Sequence, residues 1–337
     1  MDIYELIADS VKQNASDLHL SSGNLPARRI YGDLCTFGDK PLSPRQLEEQ
    51  LLQTLTEQQK ELFVVHHQLD YSLTVAGNIR LRVNLFRQRQ GISAVFRFIP
   101  SVIPLLASLL PPDIFYRFIC MTNGLILVTG ATGSGKSTTL ASLIQEINLN
   151  QKRHVITLED PIEFIHQASM SLIQQREVGP DVNSFEHGLY AALREDPDII
   201  LLGELRSPET ISLALTAAET GHLVLASLHT RSAIQSIERI IDVFPAEDKP
   251  FVRNQLANSL KAVVSQTLLP RIDSGRIAAF EVLTNTPAVS NMIREGKLHQ
   301  LYSVLQTGQG FGMQTLEQAV GQRKREGLIE PLFKPAF

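Results

Sequence analysis

Residues 130–137 read Gly130-Ala131-Thr132-Gly133-Ser134-Gly135-Lys136-Ser137, the spacing G-x-x-x-x-G-K-[ST]. Chemistry needs these residue types in this order. Glycines let the backbone curl until its N–H groups converge on phosphate oxygens, and a helix starting at the loop's end adds its positive dipole end. Lys136 has the length and charge to reach a β- and γ-phosphate, and the Ser137 hydroxyl is a hard oxygen ligand for Mg²⁺. Residues 130–138, ending at Thr138, are therefore the candidate contacts for a nucleotide's phosphates. The alternative is a glycine-rich turn that binds nothing, and it leaves a lysine beside bare backbone donors without an anion.

A phosphate tail with its metal also demands acids. Asp198-Ile199-Ile200-Leu201-Leu202-Gly203-Glu204 is an apolar run ending in a glutamate. Ligands of open α/β sheets gather at the carboxyl ends of strands, which makes Glu204 a candidate for the metal's shell. Glu159, Asp160 and Glu163 follow a second apolar run, with Pro161 stiffening the loop between them. Like charges this close are costly unless they share a cation, and one of the three is expected to orient the attacking water. Spacing alone does not say which. Two histidines bracket residues 223–228. A strand of that length separates its ends by roughly 20 Å, so both cannot touch one phosphate. His229 lies at the carboxyl end, near the loop; His222 lies at the other end, where a helix-capping or packing role fits as well as a functional one.

The elements that must hold these groups can be read from the hydrophobic pattern. Apolar strand candidates at Leu125–Thr129, His154–Leu158, Asp198–Leu202 and His222–Leu228 alternate with helical stretches, which implies a parallel sheet covered on both faces. Residues 285–330 read as short helices. Residues 1–98 read as a smaller α+β domain. In it Ile3, Leu6, Ile7 and Val11 share a helical face, Ser43-Pro44 starts a helix carrying Leu47, Leu51 and Leu55, and residues 91–98 alternate as a strand with Arg97 opposite the apolar face. Pro100, Pro104, Pro111 and Pro112 mark residues 99–112 as a linker or hinge outside any core. The second domain then runs over 113–337, its C-terminal helices over about 285–337.

The 337 residues suit about two domains. A net charge of −4 and a pI near 6.2 argue against a nucleic-acid-coating protein. Cys35 and Cys120 form no C-x-x-C pair, and a reduced, cytoplasmic compartment is expected. The first residues lack a signal-peptide pattern and no apolar run is long enough to span a bilayer, so membrane contact is expected only through partners.

Taken together, these blocks resemble the secretion ATPase superfamily of type IV pili and type II secretion, and most nearly its pilus retraction (twitching-motility) branch. Ala15-Ser16-Asp17-Leu18-His19-Leu20 resembles the opening of the family's PAS-like N-terminal domain. The stretch 158–163 resembles its Asp box, 193–204 its Walker B segment, and 216–230 its His box. Assembly and type II secretion members usually carry a long N-terminal extension and a four-cysteine insert, and neither pattern is in this sequence. The retraction branch's Ala-Ile-Arg-Asn-Leu-Ile-Arg-Glu motif corresponds to Ala288–Glu295, with Ser290 in place of the first arginine. Ala131 stands where the family often has proline.

The resemblance implies a RecA-like P-loop ATPase core with a smaller N-terminal PAS-like domain, ATP and Mg²⁺ as ligands, and a homo-hexameric ring. The ring would act on an inner-membrane pilus platform protein from the cytoplasmic side. It places the catalytic glutamate at Glu163 and the Walker B glutamate at Glu204, and it maps two nucleotide-reaching arginines of the N-terminal domain onto Arg82 and Arg97. Lys136 and His229 complete the expected catalytic set. The competing classes are a RecA-like nucleic-acid translocase, disfavoured by the acidic pI, and a nucleotide-gated scaffold without turnover, disfavoured by the complete acidic blocks. A GTPase lacks its Asn-Lys-x-Asp motif here and an ABC ATPase its Leu-Ser-Gly-Gly signature.

Overall fold

The structure is a computed structural model that describes residues 2–30, 32–76, 79–99 and 102–333. Met1, Pro100 and Ser101 of the proposed linker, and residues 334–337 of the expected C-terminal helical stretch lie outside the described residues. The chain divides into two compact units, Met1–Val102 and Ile103–Phe337.

The first unit contains α1 (Ile3–Lys12), β1 (Asp17–Ser21), β2 (Ala27–Ile30), β3 (Asp33–Thr36), α2 (Pro44–Gln53), α3 (Glu57–His66), β4 (Gln68–Val75), β5 (Ile79–Gln88) and β6 (Gly91–Ile99). Its six strands form an antiparallel sheet in the order β3-β2-β1-β6-β5-β4. Asp2 caps α1 by accepting from the Tyr4 N–H. Ile3, Leu6 and Ile7 are buried as the pattern predicts, but Val11 is exposed and Ser10 is buried in its place. At 100° per residue Val11 falls on the flank of the stripe, whereas Ser10 falls near its centre and satisfies its hydroxyl on the Leu6 carbonyl at 2.7 Å. Leu47 and Leu51 pack from α2, and Leu55 is buried just beyond that helix's end. Ser43 occupies the N-cap position without a side-chain capping bond, so Pro44 at the first helical position is the operative start signal.

On β6, Ile92, Ala94 and Phe96 are buried, and Arg97 is on the solvent side. Arg82 lies directly opposite Arg97 across the β5–β6 pair, and Asp17 lies opposite it across the β1–β6 pair. Two guanidinium groups side by side repel. The Arg97 Nε–Asp17 contact at 2.9 Å offsets one of them.

The second unit contains α4 (Ile114–Phe118), β7 (Gly124–Thr129), α5 (Lys136–Asn150), β8 (His154–Glu159), β9 (Leu172–Glu177), α6 (Phe185–Ala192), β10 (Ile199–Leu202), α7 (Pro208–Glu219), β11 (Leu223–Leu228), α8 (Ala233–Asp242), α9 (Lys249–Ser259), β12 (Leu260–Pro270), β13 (Arg276–Thr284), α10 (Pro287–Glu295), α11 (Leu301–Thr307) and α12 (Leu316–Arg325). Its seven-stranded sheet runs β13-β12-β7-β11-β10-β8-β9. The four strands expected from the sequence form its centre, parallel to one another. Both faces are covered: Leu125 and Leu127 pack into one core cluster, Ile126 and Val128 into the other.

Two features correct the sequence-based expectation. The sheet is mixed, because β13 pairs antiparallel with β12; the short turn over 271–275 permits only a hairpin, whereas a parallel return needs a crossover of a dozen residues or more. The 99–112 stretch is not uniformly outside a core. A 3₁₀ turn at Leu106–Leu109 buries Leu106 among Phe115, Leu140 and Ile144, and the Ser142 hydroxyl donates to the Pro104 carbonyl at 2.8 Å. The prolines restrict the local backbone but leave the leucine between them free to dock. No helix among the described residues is long and apolar enough to cross a membrane.

Phe280 is fully buried and meets the Phe115 ring edge-on at 5.0 Å. Phe280→Ala should lower the unfolding free energy by about 3–5 kcal/mol, read from the urea midpoint.

Candidate functional site

The glycine-rich loop joins β7 to α5 at the carboxyl edge of the sheet's centre. Gly130 has φ 147° and Gly135 φ 88°, a region side chains avoid. A Cβ at Gly130 would be driven into the Gln266 carbonyl and the Ser134 hydroxyl, and one at Gly135 would lie 2.9 Å from the Gln266 side-chain nitrogen. The loop is therefore a cradle that only glycine at these points can line. The Ser134 hydroxyl is buried and has no hydrogen-bond partner among the described residues. Beside the loop opens a cavity of about 460 Å³, within the size range of ligand sites.

Lys136 is 8% exposed. Its ammonium donates to the Gly130 carbonyl at 2.9 Å and the Ala131 carbonyl at 3.2 Å, and it lies 3.2 Å from His229 Nδ1. Burial lowers its pKa, and the fields of Glu204 and Glu163 oppose that shift. Both glutamates thus act electrostatically on the lysine, and both line the cavity with it.

Glu204 comes just after the end of β10. One of its oxygens takes a 2.7 Å contact from Arg206 Nη2 and a 3.3 Å contact from His229 Nε2. Burial would raise this carboxyl; the hydrogen bond from Arg206 and the nearby His229 outweigh it and hold it below the usual range. His229 therefore lies between the lysine and the glutamate. Arg206, two residues after Glu204 on the loop leaving β10, was not picked out from the sequence.

The three acids that spacing left equivalent differ in surroundings. Glu159, at the end of β8, accepts from the Thr157 hydroxyl at 2.7 Å and the Gln175 amide at 3.2 Å. It also accepts from the Glu163 backbone N–H, but burial outweighs these bonds and pushes its carboxyl up. All three acids line the cavity, Asp160 and Glu163 being exposed and Glu159 held by its side-chain bonds, and the Asp160–Pro161 bond between them is cis. Glu159 thus braces the loop that presents Glu163. Gln175 comes from β9, a half-exposed strand (Leu-Ile-Gln-Gln-Arg-Glu) whose pattern carries no apolar run for sequence reasoning to find.

Thr132, Gly133, Ser137 and Thr138 also line the cavity. So do Leu268 and Arg276, from the β12–β13 hairpin that sequence reading did not resolve. His222 is not among the lining residues. Its Nδ1 lies 3.0 Å from the Ala217 carbonyl at the end of α7, a capping contact. Ser290, at the variant motif position, donates to the Ala257 carbonyl at 2.8 Å and contacts Asn285 Oδ1 at 3.0 Å, tying α10 to the end of α9. Arg82 and Arg97 belong to the first unit, on the strands described above.

Against known proteins, the family described as Type II/IV secretion system protein matches residues 68–326. The chain is 49% identical over 329 residues to the type IV pilus retractation ATPase PilT of Pseudomonas aeruginosa, covering 98% of this chain and 96% of that relative. It is 53% identical over 330 residues to the uncharacterized protein YggR of Escherichia coli, covering 98% and 100% respectively. Among solved structures, the pilus retraction motor PilT with bound ADP superposes with a TM-score of 0.91 at 43% identity, covering 98% of this chain and 95% of that one.

His166 lines the same cavity, and burial pushes its imidazole down to about 4 from an ordinary 6.5. A folded-state pKa below the unfolded value means the unfolded chain binds more protons between the two. The neutral ring's contribution is thus fully present above pH 6.5 and is lost as pH falls toward 4. Urea unfolding at stepped pH should show about 2 kcal/mol of destabilisation over that window, after allowing for partial solvent access, and His166→Gln should flatten it.

Proposed function

The chain belongs to the type II/IV secretion system protein family, and on that basis we propose that it is the ATP-hydrolysing motor of type IV pilus retraction. One observation carries the proposal. Loop residues Thr132, Gly133 and Gly135 to Thr138 line one cavity with Glu163, Glu204 and His229, in a chain that matches a retraction ATPase over nearly its whole length. In this proposal the motor is a ring of six copies on the cytoplasmic side of the inner membrane, working against a membrane platform protein. Residues 99–112 join its PAS-like and RecA-like domains, and movement is generated across that joint.

The donor set fits nucleotide with magnesium. The glycine cradle presents backbone N–H groups, the buried Ser134 hydroxyl has an open hydrogen-bonding position, and Ser137 and Glu204 are hard oxygen donors of the kind that hold Mg²⁺ alongside phosphate. When bound, ATP would supply the phosphoryl group that passes to water, and Mg²⁺, held by Ser137 and Glu204, would neutralise charge on the phosphate tail.

The residues divide the remaining work. Lys136 exchanges the Gly130 and Ala131 carbonyls for phosphate oxygens, and the added negative charge favours its ammonium form. Glu163, on the segment braced by Glu159, orients the attacking water and accepts its proton. Glu204 holds the metal's shell, and His229, between Glu204 and Lys136, registers the state of the γ-phosphate. Arg82 and Arg97, from the same or a neighbouring subunit, neutralise charge building on the transferring group.

Lys136→Ala and Glu163→Gln should each reduce ATP turnover by about a hundredfold or more, measured as phosphate release. Arg97→Ala should slow hydrolysis while the chain stays folded, at a cost of about 1 kcal/mol in unfolding free energy, since the arginine is exposed but its partner Asp17 is buried and keeps the Ser16 hydroxyl bond. Full turnover in either of the first two variants sinks the site assignment. In the host, deletion of the gene should abolish twitching and leave excess pili; unaltered pili would overturn the retraction role.

A further inference from the structure

Gln266 plays no part in the reaction as described above, yet it lies against the phosphate loop. It sits on β12, one residue beyond Ser265, which pairs with Thr129 at the end of β7. That register puts Gln266 level with the start of the loop. By strand alternation its side chain continues the row of Ala262 and Val264, which pack into the same core cluster as Leu140 and Ile144 of α5. The residue is 3% exposed.

Its carboxamide is used at both ends. Nε2 donates to the Ser134 carbonyl at 2.8 Å, and Oε1 accepts from the Thr139 hydroxyl at 2.7 Å. The Ser134 carbonyl can only accept, so it sets the amide nitrogen toward the loop, and Thr139, fully buried on the first turn of α5, braces the oxygen end. The same residue also accounts for two loop glycines, since its carbonyl occupies the space a Gly130 side chain would need and its amide nitrogen that of Gly135.

The bond to Ser134 has a directional consequence. A trans peptide is planar, with its C=O and the following N–H pointing opposite ways. Holding the Ser134 carbonyl toward Gln266 therefore turns the Gly135 N–H away from the core. Gly135 lines the cavity, and no acceptor for its N–H occurs among the described residues. We propose that Gln266 is a positioning residue of the phosphate site: clamped between Thr139 and the Ser134 carbonyl, its carboxamide aims the Gly135 N–H into the cavity at the phosphate tail of a nucleotide. The inference rests on the reading of this cavity as a nucleotide site.

Only an amide supplies a donor and an acceptor in one plane here. Methionine matches the shape and has neither; glutamate keeps the acceptor toward Thr139 but sets an oxygen against the Ser134 carbonyl. The test is titration of the full-length protein with a fluorescent ADP (mant-ADP), with thermal unfolding of each variant alongside. Gln266→Met and Gln266→Glu should weaken mant-ADP binding about tenfold, and Thr139→Val several-fold, because a buried carbonyl loses its donor or the donor loses its brace. A residue that merely fills space would be rescued by methionine. Folded Gln266→Met binding mant-ADP as tightly as the parent overturns the assignment; should that variant not fold, unchanged binding by Thr139→Val overturns it. A parent chain that binds no mant-ADP removes the nucleotide reading itself, whereas a binding parent with unaffected variants removes only the role of Gln266.

Discussion

The Lys136 ammonium is almost withdrawn from water, and a buried cation must find compensation nearby. It finds it in the carbonyls of its own loop and in the fields of Glu204 and Glu163. Much of the second unit can be understood from this requirement. The loop has to curl tightly enough to turn carbonyls toward the lysine. The acids have to reach it from other strands. The first arrangement closes within consecutive residues of the loop; the second cannot form locally and depends on strand order.

The parallel centre of the sheet meets that need. With β7, β11, β10 and β8 side by side and running the same way, every strand delivers its succeeding loop to one edge. The phosphate loop leaves β7, His229 leaves β11, Glu204 leaves β10 and the 159–163 loop leaves β8. Residues far apart in the chain thus become neighbours without any long connection over the site. The β12–β13 hairpin closes the other side of β7 and brings Gln266, Leu268 and Arg276 to the loop.

Polar groups around the cavity come in braced pairs. Glu159 anchors the backbone of Glu163, Arg206 and His229 hold Glu204, and Gln266 with Thr139 holds Ser134. Each brace restrains a group that would otherwise have to be ordered when a ligand arrives, and restraint in advance lowers the cost of binding. Glu159 carries a cost of its own, because it is a carboxyl pushed up by burial. In the first unit the same logic is weaker: Arg97 is paired with Asp17 from the neighbouring strand while Arg82 faces it from the other.

The phosphate loop, the four central strands and the acids at their ends were legible in the chain before any fold was known. These are signals written in consecutive residues, where glycine tolerance, apolar runs and a terminal glutamate each have a local physical cause. The same kind of signal placed α1 and β6, missing only that Val11 falls at the edge of its stripe. Everything else needed the folded chain. Folding separated Glu159 from Glu163, because burial beneath Gln175 distinguishes two carboxylates that look alike in sequence. It assigned His222 to a helix end, docked Leu106 between its prolines, and set β13 antiparallel. Arg206 and Arg276 reach the cavity, and Gln266 the loop beside it, only because strands distant in the chain are adjacent in the sheet. A residue's partners across a sheet are set by register and strand order, and neither leaves a mark on the residues next to it in sequence.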